Sequence, residues 1–226
     1  DHNTFMANPN CATSHMLVAL HPLRKLANIT RIVVSSYQAV SGTGRDAIDE
    51  LAAQNAALVK GEKVEVKVYP HQIAVNLLPH IGSVCKDETL AGFTTEEEKM
   101  VRETQRIFDD ASIRVCATCV RVPVYNSHSE SVSVEFDGPV SVAEALAVLS
   151  QAPNLIVQDD LASAVYPMPI EASGRDETYV GRIRKDPSVE HGLAMWVVSD
   201  NLRKGAATNA IQIAETMIER GLIPQK

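Results

Sequence analysis

The chain has 226 residues, is 45% hydrophobic, 22% charged and 4% aromatic, and carries a formal net charge of -7. This composition excludes a disordered acidic chain or a collagen-like one, and the length suffices for one large core, or one core plus an arm. The acidic balance argues against a duplex-DNA or anionic-membrane binder, which would show a basic stripe. No apolar run approaches the ~20 residues that cross a bilayer. Asp1-His2-Asn3 opens the chain without a basic segment leading into an apolar stretch, so no signal peptide is read there. The absence of an initial Met points to a chain that begins partway through a longer protein.

In chain order, Cys11 opens a helical pattern, with Thr13 and Ser14 serving its amino end and Met16, Leu17, Leu20, Leu23 and Leu26 at helical spacing. Pro22 predicts a kink or an early stop. Ile29 to Tyr37 reads as a strand, Ser41-Gly42-Thr43-Gly44 as a turn, and Asp46 to Leu58 as a helix. Val64 to Tyr69 alternates and predicts a short strand, followed by a long irregular connection from Pro70 to Thr94. Thr95 to Asp109 is an acidic-fronted helix with Thr95 as N-cap and Glu98 three residues on. Ile113 to Val124 and Glu130 to Phe136 are strands. Ser141 caps a helix running to Ser150, with Glu144 three residues on. Leu155 to Gln158, Tyr179 to Lys185 and Leu193 to Ser199 are further strands. A long helix from Arg203 to Arg220 ends at Gly221 and Pro224. Strands and helices mix without regular βαβ alternation, which predicts an α+β fold with a mixed β-sheet and helices on one face.

Four cysteines are too few and too irregular for a disulfide framework. Cys116 and Cys119 form a C-x-x-C, but no second pair of ligands follows, so no metal site is expected. Buried apolar thiols in a reducing cytoplasm are the expectation. Cys11, in the first turn of a helix, feels the helix dipole and unpaired N–H groups, which favour thiolate and stabilise an oxyanion. A small buried residue reads equally well there. His128 follows a strand in a polar loop, where an imidazole is easily presented, although an exposed loop histidine is the commoner case. Arg121, at a strand end, has the donor fork for a carboxylate, or for an ordinary ion pair. Glu96 and Lys99 share a helix face, and a lysine near a helix start suits phosphate; three consecutive glutamates make a solvated turn the simpler reading.

Together these residues resemble aspartate-semialdehyde dehydrogenase. The motifs are Asn8-Pro9-Asn10-Cys11-Ala12-Thr13, Ser35 to Gly42, Glu96 to Met100, Arg121 to Glu130 and Asp200 to Ala207, in that order. The resemblance implies an NADP-dependent oxidoreductase that interconverts L-4-aspartyl phosphate and L-aspartate 4-semialdehyde through a cysteine thioester. That step serves the biosynthesis of lysine, methionine, threonine, isoleucine and diaminopimelate. It further implies Cys11 as nucleophile, His128 as acid/base and Gln38 as the positioner of the acyl intermediate. Arg121 would clamp the substrate carboxylate, Glu96 would face its ammonium, and Lys99 would serve phosphate. Ser41, Gly42 and Asn201 would lie near the cofactor. The implied partners are a small-molecule substrate, phosphate and a second copy in a homodimer, with neither nucleic acid nor membrane.

Two departures stand out. No G-x-G-x-x-G occurs, so the Rossmann half that the resemblance implies is missing. His15 stands four residues after the cysteine, where Gln or another residue is more usual. The expected organisation is a catalytic and dimerisation domain over residues 1–200 and a carboxy-terminal helix over 201–226 that belongs with the nucleotide-binding half. Competing readings are a non-catalytic truncated dimerisation module and a Cys/His thiol hydrolase. An N-acetylglutamyl phosphate reductase fits less well, because its cysteine motif differs.

Overall fold

The computed structural model describes residues 6–222; Asp1-His2-Asn3 and the Pro224 helix stop lie outside them. Six strands form one mixed sheet: β1 (Ile29–Gln38), β2 (Arg114–Arg121), β3 (His128–Phe136), β4 (Leu155–Val157), β5 (Thr178–Lys185) and β6 (Gly192–Ser199), in the order β2-β1-β3-β6-β5-β4. β1 pairs parallel to β2 and β4 parallel to β5; the other pairings are antiparallel. One face is covered by α1 (Cys11–Leu20), α3 (Thr95–Phe108) and α4 (Val142–Leu149). Ile32, Val34, Val132, Val134, Leu193 and Met195 project into that layer from alternate positions. The expected α+β architecture is therefore present.

The opposite face carries small polar residues and aromatic rings. Tyr37 and Trp196 lie 5.4 Å apart between ring centroids, and the short helix α5 (Pro169–Ala172) covers one end. α2 (Arg45–Lys60) and the connection after it form a second, smaller core around Val40, Leu51 and Ile73.

Several local expectations are corrected. Val64 to Tyr69 is not a strand. Side chains of α2 take its backbone groups instead: Glu50 accepts from Lys67 and Val68 N–H, and Gln54 donates to the Glu65 carbonyl. Asn10, rather than Thr13 or Ser14, caps α1, its side chain accepting from the Ala12 and Thr13 N–H groups. The α3 cap is Thr94 with Glu97, one residue earlier than expected. The final helix is split into a π-turn at Arg203–Ala207 and α6 (Thr208–Glu219). Of the C-x-x-C pair, Cys119 is buried but Cys116 is exposed, because residues three apart in a strand face opposite sides.

Candidate active site

Sheet register assembles the site. Arg121 and Gln38 are direct partners across β2 and β1. Tyr37 faces Ser129 across β1 and β3, which sets His128 beside Gln38, and His128 faces Ser199 on β6. Arg121, Gln38 and His128 thus form one row at one end of three adjacent strands, all buried. The amino end of α1 lies over this row and delivers Cys11. α3 delivers Glu96, which accepts from the Asn10 side-chain amide at 2.7 Å and the Gln38 amide at 3.3 Å. Lys99 Nζ stands 3.4 Å from the other Glu96 oxygen and is half-exposed, at the mouth of the site.

His128 is not an exposed loop residue: it opens β3 and is fully buried. Its Nδ1 accepts the Ala39 N–H at 3.0 Å. A neutral ring held this way carries its proton on Nε2, which has no partner among the described residues. Burial, then His15 and Arg121, hold the imidazole well below its usual range, outweighing the Ser127 carbonyl, which favours the charged form. Arg121 donates to the Ala39 carbonyl at 2.7 Å, while its Nε is buried and unpartnered among the described residues.

The Cys11 thiol departs from the expectation of an activated thiolate. Burial, reinforced by Glu96 and Glu130, pushes it up to about 12, against the opposing pull of the Ala12 N–H and Arg121. Desolvation of the charged form outweighs the helix end here.

Ser41 and Asn201 are buried and bond to each other, with Asn201 Nδ2 donating to Ser41 Oγ at 3.0 Å. The Asn201 carbonyl oxygen also accepts the Ser127 N–H. A Cβ on Gly42 would lie 2.9 Å from Arg121 Nη1 and 3.2 Å from His128 Cε1. Gly42 therefore lets the chain approach both side chains closely. Ser41 and Asn201 brace the site through these bonds, while Gly42 is exposed beside it. Among the described residues no group of three or more His, Cys, Asp or Glu side chains is arranged to hold a metal.

Sequence reasoning gave no role to Asn10, Glu130 or Gly205. Asn10 joins the α1 cap to Glu96. Glu130 is buried, and neither of its oxygens has a partner among the described residues. A Cβ on Gly205 would come within 2.7 Å of Cys11 Cβ and 2.9 Å of His15 Nε2, so the glycine lets the π-turn approach Cys11 closely. The spacing His128-x-Glu130 on one strand face was the available signal for Glu130.

The family model described as the semialdehyde dehydrogenase dimerisation domain matches residues 20–204. The chain belongs to this family. The matched span includes Gln38, Glu96, Lys99, Arg121, His128 and Asn201. Cys11 precedes it but falls within the whole-chain likenesses. An aspartate-semialdehyde dehydrogenase of Aquifex aeolicus is 53% identical over 219 residues, covering 96% of this chain and 63% of that protein. One from Legionella pneumophila is 51% identical over 94% of this chain and 60% of its own length. The crystal structure of aspartate semialdehyde dehydrogenase II from Vibrio cholerae, complexed with ASA, superposes with a TM-score of 0.90 at 45% identity, over 95% of this chain and 62% of that one. The chain therefore spans about three-fifths of the length of these relatives.

Proposed function

We propose that this chain is the catalytic and dimerisation part of an aspartate-semialdehyde dehydrogenase. Such an enzyme converts L-4-aspartyl phosphate to L-aspartate 4-semialdehyde, a step toward lysine, methionine, threonine, isoleucine and diaminopimelate. The observation that carries this reading is the single buried row Arg121–Gln38–His128 beneath a helix that begins at Cys11. Cys11 Sγ attacks the acyl carbon, phosphate leaves, and a thioester forms, which stays reactive enough for reduction or for return to phosphate.

The remaining groups fit an amino-acid acyl substrate. Arg121 supplies a buried cationic fork for the α-carboxylate. Glu96 already collects donors from Asn10, Gln38 and Lys99, so its oxygens suit the α-ammonium. Lys99, at the mouth, suits the phosphate. Gln38 positions the acyl group. His128 is best read as a neutral Nε2–H donor to the oxyanion of the tetrahedral intermediate; proton transfer through it requires rearrangement of the Ala39 contact.

The reduced cofactor, NADPH, would supply the hydride that converts the thioester to the aldehyde. Ser41, Gly42 and Asn201 are assigned to the side of the site nearest the cofactor, and a separate nucleotide-binding domain is assigned most of its contacts, since the chain spans about three-fifths of its relatives' length. We assign residues 201–226 to contact with that domain: Ile211 and Ile218 on α6 are 59% and 46% exposed. The open sheet face around Tyr37 and Trp196 suits a homodimer. No described helix is long and apolar enough to cross a membrane, and four free cysteines, one exposed, suit a reducing cytoplasm. A free-standing thiol hydrolase is disfavoured, because its histidine must accept the thiol proton and His128 Nδ1 is occupied.

The test supplies the chain with a nucleotide-binding domain, in one polypeptide or two, and measures phosphate-dependent NADP reduction by L-aspartate 4-semialdehyde. Turnover that Cys11→Ser abolishes is expected. No turnover would favour the non-catalytic dimerisation module.

A further inference from the structure

Glu130 is the one fully buried carboxylate on the sheet face beneath α1 that the reading above leaves unused. It lies two residues beyond His128 on the same face of β3. Its register partners are Ser36 on β1 and Val197 on β6, and Ser36 in turn faces Cys119 on β2. This second row runs directly behind Arg121, Gln38 and His128. Neither Glu130 oxygen has a hydrogen-bond partner among the described residues. An ionised carboxylate without donors in a dry interior is costly, so a group left this way calls for an explanation.

The groups that face the pair are few. α3 contributes Glu96, β2 contributes Arg121 and Cys119, β3 contributes His128, and α1 contributes His15 beside Cys11 itself. Arg121 is the one cation among them. A negative charge on Glu130 acts against the Cys11 thiolate. His128 cannot take the thiol proton in its present tautomer, since Nδ1 accepts from Ala39.

We propose that Cys11 and Glu130 share one negative charge, so that the thiolate exists only while Glu130 holds a proton. At rest both groups hold their protons and the pair is neutral; loss of one proton to solvent leaves a single negative charge, which sits on Cys11 sulfur while the Glu130 O–H bond is intact or on Glu130 while the Cys11 S–H bond is intact. Glu130 thereby acts as a positioning residue for the nucleophile's charge and does not touch the substrate. Burial, which holds the Glu130 carboxyl well above the usual carboxylate range, agrees with its resting protonated. Such pairs titrate in two shared steps. The inference rests on Cys11 being the nucleophile.

The experiment is the pH profile of Cys11 alkylation by iodoacetamide, with the site located by peptide mass spectrometry, in the parent chain and in Glu130→Gln. Glutamine mimics the protonated acid. The two profiles should coincide near neutrality. Above that, the variant should rise in one step, with a midpoint about one to three pH units below the upper step of the parent. Superimposable profiles, with or without a change in melting temperature, would overturn the proposal. Should the glutamine chain fail to fold, Cys11→Ser gives the reciprocal reading. The infrared band of the protonated Glu130 carboxyl should then titrate at lower pH than in the parent, and an unchanged titration would overturn the sharing. If parent Cys11 resists labelling at every pH, the nucleophile reading falls and this inference falls with it.

Discussion

Cys11 and its neighbours mark where residue-level reasoning succeeds and where it stops. The helix start was legible from Asn10-Cys11 onward, but the thiol's high pKa was not, because it comes first from burial under other elements and then from the charges of Glu96 and Glu130 on them. His15 shows the same division. Its spacing placed it on the Cys11 side of α1, yet only the fold shows it fully buried, edge-on to His128 at 6.0 Å, with both nitrogens unpartnered among the described residues. Burial lowers its imidazole from 6.5 to about 3. Between those values the unfolded chain binds a proton that the folded chain does not, so stability is present above pH 6.5 and is lost as pH falls toward 3. The contribution is of order 5 kcal/mol at about 1.4 kcal/mol per pH unit. Urea unfolding of His15→Gln should therefore depend on pH less steeply over this window, by about one proton, and parallel curves would contradict this account. Gly205→Ala should cost about 1–3 kcal/mol, because the new methyl group meets Cys11 and His15 below contact distance. It should also slow Cys11 alkylation; an unchanged melting temperature and labelling rate would show that the π-turn yields freely.

At the scale of elements, periodicity located all six strands and the helices of eight or more residues, while their ends followed tertiary contacts. The run Thr94-Thr95-Glu96-Glu97-Glu98 offers two capping registers, Thr94 with Glu97 or Thr95 with Glu98. Nothing local chooses between them. The structure adopts the first, in which one Glu97 oxygen accepts the Thr94 N–H and the other accepts the Cys119 N–H of β2. The cap thus also fastens α3 to the sheet and points Glu96 at the site. Glu97→Ala should destabilise the chain by about 1–3 kcal/mol, having lost two buried acceptors. Glu98→Ala, which loses contacts to Arg102 and Cys85 at the helix surface, should cost under about 1 kcal/mol. Equal losses in thermal or urea unfolding would contradict the assignment of register. Val64 to Tyr69 misled for a related reason: its alternation is real, but α2 side chains satisfy its backbone in place of a neighbouring strand.

For the whole molecule, the sheet divides two tasks. The helix-covered face carries Cys11, the buried row Arg121–Gln38–His128 and Glu96. The other face carries Tyr37, Trp196 and small polar residues, beside a groove of about 380 Å³ lined by Ser131, Pro167, Met168 and Trp196. If this face joins two copies, Trp196→Glu should convert a dimer to a monomer in light scattering, with Cys11 still alkylated at the parent rate. A dimer that persists would move the interface elsewhere. The chain alone should bind NADP weakly or not at all in calorimetry, since it spans only about three-fifths of its relatives' length.

The central claim, that Cys11 carries the acyl group, is tested most directly by trapping it. The chain, completed with a nucleotide-binding domain, is mixed with L-aspartate 4-semialdehyde and NADP in the absence of phosphate, quenched in acid and digested for mass spectrometry. One aspartyl adduct is expected on the peptide that holds Cys11, released when phosphate is added. NADP reduction without that adduct, or with the acyl group on another residue, would contradict it.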